Sequence, residues 1–196
     1  MKQVWILFLS LILLTIGAFS YVQRKVDPPV ETIVASSLKA VQEQNRLSAF
    51  AARFVTVVTS SKSQFGLSAE KTLIIPALVR YEVDLAKLTA DDLVWDASTK
   101  VLTVSLPPVE LAGPEFDLSG VKEYASGAVL LTLTDVEKLL DAANRAKAKG
   151  DVLAQAKTEP MLRLARDAHA RAVERSFALP LAAAGIEAKV KVEIDQ

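Results

Sequence analysis

Apolar residues follow three different patterns along this chain, and each pattern predicts a different structure. An uncharged run extends from Val4 to Val22 and would be about 28 Å long as a helix, close to the thickness of a bilayer's hydrocarbon core. Leu73 to Leu85 alternates between apolar and other residues, which is typical of a strand with one buried face. Helical spacing of apolar residues occurs over Glu31 to Gln44. The chain therefore begins with a predicted membrane span and continues as a domain with both helices and strands.

The predicted membrane anchor occupies residues 1–25. Within its uncharged run, the anchor residues expected to contact lipid include Val4, Trp5, Leu14, Tyr21 and Val22. The cations at its two ends, expected at the membrane interface, are Lys2, Arg24 and Lys25. Residues 26–30 contain Asp27-Pro28-Pro29 and are predicted to form a stiff linker, because proline lacks an amide donor and restricts the residue before it. Residues 31–196 are predicted to form a single α+β domain.

The sequence leaves two questions about the anchor, whether it is cleaved and which way it is oriented. Small residues at Ala18 and Ser20 would suit a signal-peptidase cut after Ser20, although the apolar run is longer than a usual signal core. We favour an uncleaved single span over cleavage. The flanking charges are nearly balanced, so the positive-inside rule discriminates weakly between the two orientations. We favour a cell inner membrane location with a cytoplasmic amino terminus and the domain on the extracytoplasmic side.

Further strands are predicted from β-branched content and alternation. They are Leu47–Thr59, Leu93–Trp95, Lys100–Leu106, Val121–Tyr124, Ala128–Leu133 and Ile186–Ile194. Ser60–Gly66 is predicted to be a polar turn and Val109–Ser119 a loop. Pro76 cannot donate a ladder hydrogen bond, so it predicts an edge position or a bulge.

Two or three helices are predicted between residues 134 and 184, and two of them have recognisable starts. Thr134-Asp135-Val136-Glu137 fits a capping box at the start of the first, and Pro160 suits the first turn of the second. Their predicted apolar stripes are Val136, Leu139, Leu140, Ala143 and Ala146, followed by Met161, Leu164, Ala165, Ala168 and Ala172. Gly150 is predicted to be a stop or a weak point. The fold class is therefore α+β: a mainly antiparallel sheet with the C-terminal helices packed on one face, preceded by an N-terminal transmembrane helix.

Composition and charge exclude several classes of function. The 196-residue chain has no cysteine, which rules out disulfides, thiolate metal sites and cysteine nucleophiles. Outside the anchor the chain carries 20 basic and 23 acidic residues. This slight negative balance lacks the electrostatic footprint of a nucleic-acid binder.

The candidates for chemistry each have a simpler structural interpretation. His169 is the single histidine, and Asp167 two residues away does not share its helix face, so we expect a structural or surface histidine. Glu82 and Asp84 share a strand face with Arg80, and a solvated face explains them. Three further aspartates lack the calcium-loop pattern and suit turns and helix starts: Asp91, Asp92 and Asp96. Four arginines could face lipid phosphates or an acidic partner: Arg163, Arg166, Arg171 and Arg175. No catalytic residue, cofactor or metal is predicted.

Several short motifs resemble one known family. They are Ile74-Ile75-Pro76, Tyr81, Asp84-Leu85, Val104-Ser105-Leu106-Pro107, and the final Gly185-Ile186 before a valine-rich strand. This pattern, from about Glu31 to Ile194, resembles the uncharacterised, membrane-anchored bacterial family of the domain of unknown function 4230. Glycines common in that family are replaced here by Ala77 and by Glu82 or Val83. The family has no established activity, so the resemblance implies an anchor and a domain without naming catalytic residues.

The function expected from these observations is non-enzymatic. We predict a single-pass membrane protein whose partners are the lipid bilayer and a protein of the cell envelope, with no nucleic acid. The alternative is a small-ligand or lipid-binding domain tethered to the membrane, and an enzyme is a third reading. An interaction module should have a contiguous exposed apolar patch, whereas a ligand carrier should have an enclosed apolar pocket of a few hundred Å³.

Overall fold

The computed structural model describes residues 29–195 together with Ile12, Leu14 and Thr15. The helices of residues 29–195 are α1 (Val30–Gln42), α2 (Ala128–Leu133), α3 (Val136–Ala156) and α4 (Glu159–Ala183). The strands are β1 (Arg46–Gln64), β2 (Leu67–Asp84), β3 (Leu93–Asp96), β4 (Val101–Leu106), β5 (Glu110–Phe116), β6 (Lys122–Ser126) and β7 (Lys189–Ile194). The predicted α+β class, with antiparallel pairing and C-terminal helices, is confirmed.

A long hairpin of β1 and β2 is the central element of the domain. Its register extends from Arg46 opposite Asp84 to Gln64 opposite Leu67, which makes it about 60 Å long at about 3.3 Å per residue. Phe65 and Gly66 form the turn, and both have positive φ, as tight hairpin turns require. The polar turn predicted over Ser60–Gly66 is therefore wrong in extent. Hydroxyl groups paired across the strands, such as those of Thr59 and Thr72 at 2.8 Å, let this polar stretch remain β-structure.

Strand β2 lies at the centre of the first sheet. It pairs with β1 on one side and with β5 and then β6 on the other. The loop predicted over Val109–Ser119 is thus wrong, because most of that segment is β5. Pro76 is not at an edge, since its carbonyl accepts a hydrogen bond from the Asp117 amide. The nitrogen of Pro76, which has no hydrogen to donate, points to the same side, where the pairing passes from β5 to β6.

A second sheet of three strands has the order β3-β4-β7. The β3–β4 hairpin is antiparallel, as predicted, and β7 runs parallel to β4. The last strand begins at Lys189 and not at Ile186, because Ala184 and Gly185, the latter with positive φ, form the turn after α4 and residues 186–188 connect it to the strand. The expectation of one continuous sheet is therefore replaced by two sheets.

Helices α3 and α4 pack on the inner face of the β1–β2 hairpin. Helix α3 continues through Gly150, so the predicted stop there is wrong. The predicted capping box is absent, since Glu137 pairs with Lys71 instead of the helix start. The predicted apolar stripes are wrong at Leu139, Ala143, Ala146 and Leu164, which are exposed. The residues buried on α3 are Val136, Leu140, Asn144, Ala148, Val152 and Ala156, and those on α4 are Ala165, His169, Val173, Phe177 and Leu181.

The segment Ala128–Leu133 is helix α2, not the predicted strand. Gly127 precedes it with φ of 81°, and a Cβ atom there would lie 2.2 Å from the Ser68 carbonyl oxygen. Leu130 of this helix packs with Ala69, Val136 and Leu140. This cluster lies beside the β1–β2 turn, which we call the distal end of the domain. At the opposite end, which we call the base, α1, α4 and the second sheet enclose Val83, Leu85 and Phe177.

Candidate functional site

The predicted anchor lies almost wholly outside the described residues. This applies to Lys2, Val4, Trp5, Tyr21, Val22, Arg24 and Lys25. Leu14 is described: it has helical conformation, and 71% of its surface is exposed. Among the helices of the described residues, none combines the length and apolar character needed to cross a bilayer.

His169 is fully buried on α4 and contacts main-chain atoms. Its Nδ1 lies 2.7 Å from the Ala165 carbonyl oxygen. Its Nε2 lies 3.0 Å from the Leu47 carbonyl oxygen and 3.3 Å from the Ala49 amide nitrogen. These atoms belong to β1 where its register with β2 shifts between Leu47 and Phe50. The imidazole thus joins α4 to an irregular part of β1, a structural position.

Four of the five acidic candidates make local contacts: Glu82, Asp84, Asp92 and Asp96. Glu82 lies 3.2 Å from Arg80, and Asp84 lies 3.4 Å from Lys87. Asp96 accepts hydrogen bonds from the hydroxyls of Ser98 and Thr99 in the β3–β4 turn, which lowers its pKa to about 2. Among the described residues, no group of three histidine, aspartate or glutamate side chains could hold a metal ion.

Among the described arginines, Arg166 pairs with Glu159. The other three predicted contact arginines, Arg163, Arg171 and Arg175, are exposed on α4. Their exposure is the only feature of these three arginines that would suit a phosphate site.

Lys71 is the most unusual side chain on the inner face of β2. It occupies a buried position of the β2 alternation, and its side chain is 3% exposed. Its Nζ lies 2.7 Å from Asp141, 3.0 Å from Glu123 and 3.3 Å from Glu137. The ammonium therefore ties β2 to both β6 and the first half of α3.

The pKa of Lys71 reflects two opposing effects. Burial lowers it, but the hydrogen bonds to Asp141, Glu123 and Glu137 outweigh burial and raise the pKa above the ordinary lysine value. The amine is consequently held as an ammonium at neutral pH and does not suit a nucleophile or a general base.

Apart from Oδ1 of Asp141, which contacts the Lys71 ammonium, two buried polar atoms next to Lys71 have no hydrogen-bond partner among the described residues. They are Oγ of Ser60, which is opposite Lys71 on β1, and Oδ1 of Asn144. The amide nitrogen of Asn144 donates to the Lys71 carbonyl at 2.8 Å. A layer of polar side chains therefore crosses the sheet–helix interface between two apolar clusters.

A cleft of about 310 Å³ opens beside this layer, between the inner face of the sheet and α3. Its floor and walls are mostly apolar. These apolar lining residues are Leu73, Ile75, Phe116, Leu118, Val121 and Ala146. Four charged residues line it as well: Glu123, Asp141, Arg145 and Lys149.

The charges at the cleft are not equivalent. Asp141 and Glu123 are both in contact with the Lys71 ammonium. Arg145 and Lys149 are exposed, and neither has an acidic group within 4.0 Å in the described part of the chain. Because Arg145 and Lys149 are four residues apart on α3, they project on the same side of the helix. The cleft thus combines an apolar interior with two cations at its rim.

The outer face of the β1–β2 hairpin carries an apolar patch. Val55 lies opposite Pro76, and Val57 lies opposite Ile74. Val55 and Val57 are 60% and 61% exposed, and Leu78 lies next to Pro76 on the same face. We call these five residues the outer patch. Cross-strand neighbours on one face are about 5 Å apart, so the patch is contiguous.

Comparison with known proteins places the chain in a family. The family model described as Protein of unknown function (DUF4230) matches residues 39–192. The chain belongs to this family. The resemblance expected from the sequence is thereby confirmed. Neither the curated proteins nor the solved structures contain a match to this chain.

Sequence reasoning missed the two features that distinguish this DUF4230 domain, the Lys71 cluster and the cleft. The cluster had a visible signal, because the alternation of Leu73–Leu85 continues backwards through Lys71 and Ala69. A lysine at a buried position of an alternating strand indicates a buried ion pair. The cleft had no such signal, since its lining comes from β2, β5, β6 and α3.

Proposed function

We propose that this protein is a single-pass protein of the cell inner membrane whose DUF4230 domain is a non-catalytic module that binds another envelope protein. The uncharged run Val4–Val22 supports the anchor, because its length matches the bilayer core. The domain lies on the extracytoplasmic side in this proposal. The bilayer holds the module near its partner, and the domain provides the contact surface.

The outer patch is the observation that carries this proposal. Contiguous exposed apolar surface is uncommon on monomeric soluble domains and often marks interaction sites. Each valine of the pair Val55 and Val57 leaves most of its surface exposed. The rim of the patch is polar, with Arg53 opposite Leu78 and Lys122 opposite Ile74. An apolar centre within a polar rim is the usual anatomy of a protein interface.

The free edge of β1 indicates what kind of segment would bind. Among the described strands, β1 pairs with β2 alone. The carbonyl of Thr59 accepts a hydrogen bond from Lys147 Nζ at 2.6 Å, so it is used outside the ladder with β2. By the two-residue period of a strand, the backbone groups of Val57 and Val55 face the same way. We therefore propose that the partner adds an extended segment to this edge and covers the valines with apolar side chains.

The non-catalytic part of the proposal has support in the polar groups of the domain. The imidazole of His169 is buried against main-chain atoms. The amine of Lys71 is held protonated by three carboxylates. Neither group is placed to exchange a proton with a substrate.

Site-specific crosslinking in cells tests the partner. A photoreactive residue at Thr59, on the same face next to Val57, should yield one discrete adduct whose partner mass spectrometry identifies. Val55→Lys with Val57→Lys should abolish the adduct, because two charges would be buried against apolar groups. The matched control is Ser61→Lys, exposed on the same face outside the patch, which should leave it. Loss in the control as well, or an adduct of two copies of this chain, would contradict the proposal.

A reporter fusion at the C-terminus tests the topology. Activity of a reporter that folds only outside the cytoplasm is expected, together with membrane retention of the intact chain. Activity of a cytoplasmic reporter would contradict the proposed sidedness, and release from the membrane would indicate cleavage after Ser20.

A further inference from the structure

We propose that the cleft between the sheet and α3 binds an amphiphilic anion, a molecule with a single apolar chain and one carboxylate or phosphate head. This site is distinct from the outer patch, because the cleft residues Leu73 and Ile75 lie on the inner face of β2 and the patch residues Ile74 and Pro76 on the outer face. The two proposals can therefore fail independently.

The interior of the cleft suits an apolar chain. Leu73 and Ile75 form part of a buried cluster, while Phe116 and Val121 pack against that cluster from β5 and its connection to β6. Leu118, at the turn between those strands, is 68% exposed and stands at the side of the cleft. A volume of about 310 Å³ is at the small end of ligand pockets, which fits one chain and not a multi-ring cofactor.

The cations at the rim of the cleft favour a ligand with an anionic head group. Arg145 and Lys149 are the exposed cations of the lining, and neither has an acid within 4.0 Å among the described residues. Asp141, four residues before Arg145, would be its natural helix partner, but its carboxylate contacts Lys71 at 2.7 Å. Because Asp141 is paired with Lys71, it does not neutralise the charge of Arg145.

The same arrangement disfavours other ligands. An alkylammonium would place its head beside Arg145 and Lys149, where like charges repel. The two acids of the lining, Glu123 and Asp141, already contact the ammonium of Lys71. A neutral chain would gain the apolar contacts without the charge-assisted hydrogen bonds that an arginine offers to a carboxylate or phosphate. An anionic amphiphile would contact both the apolar interior and the two cations at the rim.

Photolabelling of the full chain in phosphatidylcholine nanodiscs tests this proposal. The probe is decanoate carrying a photoreactive diazirine on its chain, and the labelled residues are located by mass spectrometry. Saturable labelling is expected near Phe116, Leu118 and Ala146, displaced by unlabelled decanoate and not by decyltrimethylammonium. Addition of lysophosphatidylglycerol, an anionic lipid with a single acyl chain, distinguishes the source of the head group: competition indicates a lipid, and its absence indicates a free anion.

Charge reversal supplies the decisive comparison. Arg145→Glu with Lys149→Glu should raise the apparent Kd for the probe about tenfold. Lys138→Glu with Lys157→Glu, the same charge change on α3 and at the residue that follows it, outside the cleft, should leave it within about twofold. Leu118→Ser should weaken labelling, whereas Leu133→Ser, also exposed but remote from the lining, should not. Equal labelling in the cleft-charge variant and its control, or equal displacement by the cationic amphiphile, would overturn the proposal.

Discussion

The two halves of α3 are fixed to the same face of β2 by different chemistry. Near the base, Tyr81 is fully buried and its hydroxyl donates to the carbonyl of Ala156 at 2.9 Å, within an apolar cluster that includes Val79 and Val152. Ten residues earlier on β2, Lys71 is equally buried and contacts three carboxylates. One attachment is neutral and the other ionic, although both occupy the same alternation of buried positions.

In our proposal, this difference separates a structural attachment from the attachment that borders the ligand-binding cleft. The neutral attachment lies where the domain is most apolar, and its one polar group is satisfied. The ionic attachment adjoins the cleft, and Ser60 and Asn144 beside it have buried atoms without partners in the described part of the chain. Buried ionic groups are expensive to desolvate, so such a cluster is weak evidence for stability by itself. We interpret it as the device that shapes the cleft and frees its rim cations.

Replacing Lys71 by Met should have the largest effect on this comparison. The three carboxylates would converge without their cation, and we expect the free energy of unfolding to fall by about 3 kcal/mol. The partial exposure of Glu123 and Glu137 keeps the loss below the upper end of the range for buried pairs. Urea denaturation measures it. Lys62→Met, on the same hairpin and exposed, is the matched control and should change stability by less than about 0.5 kcal/mol.

Replacing Tyr81 by Phe should have a smaller effect. It removes one hydroxyl and leaves the Ala156 carbonyl without that donor, a loss of about 1 kcal/mol. Tyr124→Phe, at an exposed position of β6, should be close to neutral. If Tyr81→Phe proved more damaging than Lys71→Met, the assignment of the structural and ionic attachments would be wrong.

Salt should separate the two attachments further. Raising the salt concentration to 1 M shortens the Debye length to about 3 Å, which weakens the contacts of Lys71 with the half-exposed glutamates. We expect the cost of Lys71→Met to fall by about 0.5 kcal/mol, while the cost of Tyr81→Phe stays constant. Denaturation curves of both variants at low and high salt make this comparison, and equal salt dependence would count against it.

The smallest effect is expected from pH in the neutral range. The pKa of Lys71 is raised in the folded state, so its contribution is fully present below the ordinary lysine value of about 10.4 and is lost as pH rises through the folded value. The stability difference between the native chain and Lys71→Met should therefore stay constant from pH 7 to 10 and shrink above that. A decrease already near pH 8 would show that the ammonium is not stabilised as described.

The regular parts of this fold could be predicted because their signals are local. The alternation of Leu73–Leu85 and the β3–β4 turn both appear in the structure. Ala128–Leu133 was mistaken for a strand because a short apolar run has no decisive period, and the choice is made by its packing beside Ser68 and Ala69. The sequence predicts a loop in place of β5 because it contains Gly113-Pro114. A strand tolerates proline at this position because its register with β2 shifts there.

The candidate site depends on contacts that sequence spacing does not show. Lys71 and Asp141 are 70 residues apart, and nothing local indicates that they meet. The anchor residues, in contrast, were predicted from a local property, and that prediction stays open. The fold was thus more accessible from sequence than the site.

Hydrogen exchange of the full chain, native and Lys71→Met, tests the central claim most directly. If the ionic attachment is a separate part of the interface, the variant should lose amide protection in β6 and in the first half of α3, around Glu137 to Asn144. Protection around Val152 and Ala156, next to Tyr81, should be retained. Uniform loss of protection along α3, or no change near Asp141, would contradict the division of this helix between a structural attachment and the attachment that borders the cleft.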